Sequence, residues 1–129
     1  EARDKLYELG LWTDAVEDII STLISENYIN EERFAKAYAG GKFRIKKWGR
    51  LKIKMGLKQK RISDYSIKMG MKEIKEELYL ENLTKILESK NKTLRSEKNA
   101  IAKKYKLVKF AQSKGYETDL VLEVLKSLE

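Results

Sequence analysis

The chain has 129 residues, 42% of them apolar, with 28 Lys and Arg against 20 Asp and Glu for a net charge of +8, and contains no Cys, His or Pro. These absences exclude disulfides, thiolate nucleophiles, zinc clusters and imidazole catalysis, leaving carboxylate or lysine chemistry as the enzymatic route, for which no constellation stands out. The length suits one domain or a short array of small helical units, and the positive balance points to an acidic partner: nucleic acid, a nucleoprotein or an anionic membrane surface.

Apolar residues recur at helical spacing along the chain, and period-two alternation is scarce. Residues 3–9 predict a short helix closed by Gly10 as a left-handed cap. Thr13 or Asp14 starts the next, with Val16, Ile19, Ile20, Leu23 and Ile24 on one face, and Tyr28 and Ile29 end it. Asn30 then offers an N-cap, with Glu31 and Glu32 in a first turn where the helix dipole favours acids. Adjacent helical residues diverge by about 100°, so this pair does not converge as an acid–base couple.

The helix that follows shows a stripe at Phe34, Tyr38, Gly41, Ile45 and Trp48. Gly40 and Gly41 within it each cost about 1 kcal/mol relative to Ala, and either permit a close helix crossing or mark a weak point. They lack the surroundings of a phosphate loop. Gly49 breaks the pattern before a helix carrying Ile53 and Leu57, and Ser63 caps another with Ile67, Met71 and Ile74 on one side. A long amphipathic helix over 73–91 carries Leu80, Leu83 and Leu87, with Glu76, Glu77, Glu81 and Glu88 on its solvated face. A helix over 95–113 contributes Ile101, Tyr105, Val108 and Ala111, and after Gly115 a last one presents Leu120, Val121, Val124, Leu125 and Leu128. About eight helices and no strand are expected.

One pattern recurs at helix ends: an apolar residue, a Gly or basic junction four positions later, an apolar residue, a polar cap and an amphipathic helix. It runs Leu6, Gly10, Leu11, Val16; then Leu57, Arg61, Ile62, Ser63, Ile67; then Ala111, Gly115, Tyr116, Glu117, Val121. Junctions 51 and 54 residues apart, with three helices between them, predict a tandem helical repeat. The plain alternative is that helix–turn–helix junctions resemble one another in any helical protein. The expected fold is all-α, with tandem three-helix repeats forming an elongated, curved helical array. Residues 1–29 would be a partial first repeat, 30–72 a basic second and 73–129 a third.

From residue 33 to residue 63 there is no acid, while Arg33, Lys36, Lys42, Arg44, Lys46, Lys47, Arg50, Lys52, Lys54, Lys58, Lys60 and Arg61 fall there. A solvated surface mixes signs, so the run reads as a binding face for nucleic acid or an acidic protein surface, ahead of a lysine-rich surface with no partner. No base-reading motif accompanies it, so any DNA contact should depend little on sequence. Trp48, inside the run, reads first as a core residue and second as a stacking platform. If about six of these charges met phosphates, affinity would fall by roughly three decades between 50 and 200 mM salt.

The run Asn27-Tyr28-Ile29-Asn30-Glu31-Glu32-Arg33-Phe34-Ala35 resembles the motif G-Y-[LI]-[DN]-[DE]-x-R-F-A of the RecX family, regulators of the RecA recombinase. Lys47-Trp48-Gly49-Arg50-Leu51-Lys52-Ile53, followed by Leu57, Ile62 and Ser63, is similar to that family's basic, glycine-containing element. The resemblance is strongest over 1–74 and continues more weakly through Gly115-Tyr116 to the last helix. Asn27 replaces the usual Gly, Arg50 stands where Pro is common, Gly56 where Glu or Gln is usual, and Arg61 replaces the junction Gly, departures that bear on the local turns. The chain is expected to begin partway into its first repeat, after an N-terminal helix.

The resemblance implies a modulator with no catalysis of its own; the cytoplasm is the default compartment, a monomer the simplest expectation, and no cofactor or metal is expected. Such a protein lodges in the groove of the RecA–single-stranded DNA filament and blocks its growth or promotes its disassembly, lowering strand exchange, ATP hydrolysis and LexA coprotease activity. The RecA filament is then the expected partner and single-stranded DNA a further candidate, with no membrane and no small-molecule substrate. The expected contact residues are Arg33, Lys42, Arg44, Lys46, Lys47, Arg50, Lys52, Lys54, Lys58, Lys60 and Arg61, with 42–61 as the principal face. Tyr28 and Phe34 would hold the repeat together, and Arg33 would be either structural or a contact. The alternative from another class is a sequence-indifferent helical DNA-binding protein acting without RecA.

Overall fold

The computed structural model describes residues 13–128; the expected helix over 3–9, its Gly10 cap and the first of the three junctions lie outside them, as do the side chains of Val16, Ile19, Ile20, Leu23 and Ile24. The described chain is all-α: α1 (Thr13–Gly41), a π-helical turn (Lys42–Lys46), α2 (Arg50–Gln59), α3 (Asp64–Met71), α4 (Glu76–Thr93), α5 (Ala100–Ser113) and α6 (Thr118–Leu128). Helix α1 packs with α2 and α3, and α4 packs with α5 and α6, so two three-helix units follow one another in tandem.

Helix α1 runs unbroken for 29 residues through the expected end at Tyr28 and Ile29, and Asn30 caps nothing. No Gly or Pro interrupts 13–39, and mid-scale residues such as Ser, Asn and Tyr cost only tenths of a kcal/mol in a helix, which packing against α3 overrides. Glu31 instead caps a different helix. Its Oε1 accepts the Ser63 N–H at 2.5 Å, just ahead of α3, where the Ser63 hydroxyl in turn accepts the Ser66 N–H. The hydrogen bond from the Ser63 N–H is the main cause that holds the Glu31 carboxyl below the usual glutamate range. Glu32 reaches Lys36 across one turn at 3.9 Å.

The buried face of α1 lies one position beside the expected stripe. Ala35, Ala39 and Phe43 are buried, whereas Phe34 is 43% and Ile45 79% exposed; Tyr28 is exposed too, so neither Tyr28 nor Phe34 clamps the unit from within. The reason is α3. Its Gly70 lies so close to α1 that a Cβ there would sit 2.7 Å from the Ala35 carbonyl oxygen, and only small side chains fit the crossing. The close approach expected at Gly40 and Gly41 is therefore made by Gly70; a Cβ on Gly41 would meet nothing. The glycine pair marks the weak point, since the α-helix relaxes into the π turn directly after it and ends at Lys47 with φ 57.

In the third unit the expected stripes of α4 and α6 face the core, and the departure is confined to the start of α5. Helix α4 starts at Glu76 and buries Tyr79, Leu83, Ile86 and Leu87. Helix α5 starts at Ala100, where Asn99 caps the Ile101 and Ala102 N–H groups, and it buries Leu107 and Ala111. Ile101 and Tyr105, expected inside, are 82% and 62% exposed. Helix α6 buries Val121, Val124 and Leu125, as its spacing requires.

The two comparable junctions have one geometry. Arg61 and Gly115 both hold positive φ, 60° and 95°. Ile62 N–H donates to the Leu57 carbonyl at 3.2 Å and Tyr116 N–H to that of Ala111 at 3.1 Å, while Arg61 and Gly115 donate to Lys58 and Gln112, both at 2.9 Å. That is the Schellman closure, which explains why the apolar, junction, apolar spacing recurs. A non-glycine residue in this conformation costs about 1–2 kcal/mol. Arg61→Gly is accordingly expected to stabilise the protein by about 1 kcal/mol, part of the gain being offset by a more flexible unfolded chain. Urea unfolding would show the midpoint rising; a fall would mean that the Arg61 side chain contributes more than its backbone strain removes.

The units are joined by main chain. Gly49 N–H donates to the Lys114 carbonyl at 2.6 Å, Leu51 N–H to that of Gly115 at 2.9 Å, and the Tyr116 hydroxyl to that of Lys47 at 2.9 Å. Beneath these bonds Tyr79 stacks obliquely on Phe43 and on Tyr116, with centroids 6.0 and 5.0 Å apart. Burial pushes both phenols well above their ordinary pKa, with Glu117 adding to it, so each remains a hydrogen-bond donor.

Candidate polyanion-binding face

Helix α2 and the π turn present most of the predicted cations, and two aromatic rings organise them. Trp48 is half-buried against the core, and its ring carries the ammonium groups of Lys42 and Lys52 at 4.8 and 4.6 Å from the centroid. Tyr38 carries Lys42 and Lys60 at 5.5 and 6.0 Å. Each such contact is worth about 0.5–1 kcal/mol at an exposed site, enough to orient a lysine without neutralising it. Trp48 thus packs inward on one side and holds cations on the other.

Lys54 and Lys58 stand one turn apart on the exposed side of α2, and Arg61 is exposed at the junction. Arg44 is exposed and lies back along the helix over Gly40. Arg33 is exposed on α1, nine residues and so about 13 Å of helix rise before Lys42. Among the described residues, no carboxylate pairs within 4.0 Å with Arg33, Lys42, Arg44, Lys46, Lys47, Lys52, Lys54, Lys58, Lys60 or Arg61.

Arg50 differs from this set. It sits at the start of α2, its guanidinium 3.9 Å from the Tyr79 ring centroid, bonded to Glu76 and, at 3.1 Å, to Glu117. Glu117 also accepts the Tyr79 O–H, and the Tyr79 hydroxyl oxygen accepts the Arg50 backbone N–H at 2.9 Å. Glu76, expected on a solvated face, therefore joins the inter-unit network. Burial raises the Glu117 pKa, but the hydrogen bonds from Tyr79 and Arg50 outweigh it and hold the carboxyl below the usual range. With its charge matched by two carboxylates, Arg50 fastens the units together and orients the face.

Lys46 and Lys47 turn away from the α2 cations into a groove of about 540 Å³ between the two units. Lys85, Lys92 and Lys114 of the third unit line it too, and Glu88 is its one acid. Sequence reading passed over these three lysines. The signal was present, since residues 85–114 hold ten Lys and Arg against Glu88 and Glu97, but those two acids inside the run hid it. No described helix is long and apolar enough to cross a membrane, and no described group of three or more acidic residues is placed to hold a metal.

Two family models match the chain: the second three-helix domain of RecX over residues 30–79 and the third over 76–125. Curated relatives named regulatory protein RecX include those of Clostridium perfringens (strain 13), 32% identical over 99% of this chain, and of Clostridium tetani, 34% identical over 97%. The chain spans 60% and 57% of those relatives' own lengths. A crystal structure of RecX from Lactobacillus salivarius superposes with a TM-score of 0.72 at 25% identity, covering 98% of this chain and 81% of that one.

Proposed function

The chain belongs to the RecX family, and from that premise we propose that it is a non-catalytic, cytoplasmic regulator that acts as a monomer on the RecA–single-stranded DNA filament, restraining its ATPase, strand-exchange and coprotease activities. The reading is carried by one observation: a face of cations over 33–63 that has no acid in its sequence and, Lys36 and Arg50 apart, no carboxylate partner among the described residues. A protein that worked by internal ion pairing would not leave so many charges unmatched. A filament of DNA and protein supplies a repeating anionic surface, and a tandem array joined by main-chain hydrogen bonds can meet more than one of its subunits in a fixed geometry. Under this reading the unit boundaries lie near residues 29 and 72, and Arg33, Lys42, Arg44, Lys52, Lys54, Lys58, Lys60 and Arg61 make the contact, with Lys46 and Lys47 at its edge.

The test is the single-stranded-DNA-dependent ATPase of the cognate RecA with this protein added at stoichiometric and higher ratios. Inhibition is expected, weakening about tenfold or more when Lys54, Lys58 and Lys60 are all changed to Glu, with the helical circular dichroism intact. No inhibition by the parent protein would sink the reading. Full inhibition by the triple variant would remove α2 from the contact.

A further inference from the structure

Beyond that reading, and independently of any recombinase, we infer that the third unit carries its own binding track for single-stranded nucleic acid, running from the groove between the units across Phe110 to Tyr105. The track has three parts. In the groove, Lys46, Lys47, Lys85, Lys92 and Lys114 surround a floor that includes Ile86 and Phe110. Phe110 is the ridge shared with a second hollow of about 320 Å³, whose walls include Lys90, Tyr105, Lys106 and Lys109. Both rings already carry cations: Lys90 and Lys114 lie 5.2 and 5.9 Å from the Phe110 centroid, and Lys109 lies 5.5 Å from that of Tyr105.

Two properties select the ligand. The lysines other than Lys85 and Lys106, which reach Glu81 at 3.9 Å and Glu97 at 2.8 Å, have no carboxylate within 4.0 Å among the described residues, so the track attracts a polyanion. Its floor is apolar and one of its rings, that of Tyr105, is 62% exposed, features useless to a duplex that hides its base faces. A single strand offers both halves at once: phosphates for the ammonium groups and free base faces for the rings. A base arriving on Phe110 or Tyr105 displaces the resident lysine from the ring onto the neighbouring phosphate. Charge is conserved in that exchange and stacking is gained, about 1–3 kcal/mol per base. Ribose and deoxyribose strands share this chemistry.

Fluorescence anisotropy without RecA tests it, using fluorescein-labelled oligothymidylate and oligouridylate strands, with a DNA duplex of the same length and a polyglutamate peptide as competitors. The parent protein is expected to bind both labelled strands, with affinity falling as salt rises at a log–log slope of about −3 for four phosphates met. Lys85→Glu, Lys92→Glu and Lys114→Glu combined should weaken binding at least tenfold. Combined reversal of Lys54, Lys58 and Lys60 should change it less than threefold, which separates this track from the recombinase-facing side. Tyr105→Ala should lose severalfold affinity at an unchanged salt slope, the mark of stacking. Should the triple variant lose its helical signal, Lys85→Gln with Lys92→Gln replaces it, with a loss of threefold or more expected. The inference is overturned if the parent binds neither strand, if the folded charge variants bind as the parent does, or if duplex or polyglutamate competes as well as unlabelled oligothymidylate. Preference for one sugar over the other refines the ligand within the proposal.

Discussion

Gly115→Ala is expected to lower the unfolding free energy by about 3 kcal/mol and the Tm by roughly 10 °C. Two costs combine. The residue sits at φ 95°, where a Cβ adds about 1–2 kcal/mol of strain. That Cβ would also point at α2, 2.6 Å from the Lys52 nitrogen, and overpacking of this kind adds about 1–3 kcal/mol. Neither side can retreat, because Leu51 N–H is bonded to the Gly115 carbonyl and Gly49 N–H to that of Lys114. Gly49→Ala should show the second cost without the first. Its φ of −81° suits any residue, but its Cβ would overlap the Gly115 main chain. Because both changes spoil one contact, the double variant should be less destabilised than the sum of the singles. A Tm for Gly115→Ala within about 2 °C of the parent would mean that the two units are not held by this joint.

Removing Arg50 should be nearly as damaging, by about 2 kcal/mol for Arg50→Ala. Breaking a fully buried ion pair costs about 3–5 kcal/mol, and this pair is discounted because the Arg50 and Glu117 side chains keep 22% and 25% exposure. Glu76 adds little, since its side chain is 61% exposed. Without the guanidinium, Glu117 keeps only the Tyr79 hydroxyl as a side-chain donor, and Tyr79 loses the cation over its ring. Arg50→Lys should recover part of the loss, as a point charge cannot bridge two carboxylates with a planar fork.

The acid side carries the same signature. A carboxyl whose folded pKa lies below its unfolded value contributes stability that is complete above the ordinary glutamate range, near 4.5, and is lost as pH falls through the folded pKa. The parent's Tm should therefore hold steady from neutrality down to about pH 5 and decline below it, and Glu117→Gln should flatten that decline. In Arg50→Ala the Glu117 pKa rises toward its unfolded value, so the decline becomes shallower while its start, set by the unfolded carboxyl, stays in place. A double-mutant cycle over Arg50 and Glu117 that gave no coupling energy would reduce the network to a surface ion pair.

The charge of the candidate face was legible because it is a property of composition: a stretch without acids has no local partner for its cations. Arg50 was the exception, and its neutralisation comes from Glu76 and Glu117, 26 and 67 residues away. The lysines of the groove escaped for a related reason. Lys46 and Lys85 belong to different units and become neighbours only because the π turn faces α4.

Sequence alone determined that the described chain is helical, that three-helix units recur in it and that the chain turns at Arg61 and Gly115. These depend on local spacing, on a cap such as Ser63, and on a chain reversal that Arg61 and Gly115 make with their own backbone. Tertiary structure decided which side of α1 and of the start of α5 faces inward and which charges are spent. Ala35 and Ala39 rather than Phe34 and Ile45 face the core because Gly70 brings α3 too close for anything larger, and Glu31 caps α3 rather than its own helix because the crossing carries it to Ser63. A helical period tells which residues share a side; only the neighbouring backbone sets how much room that side has.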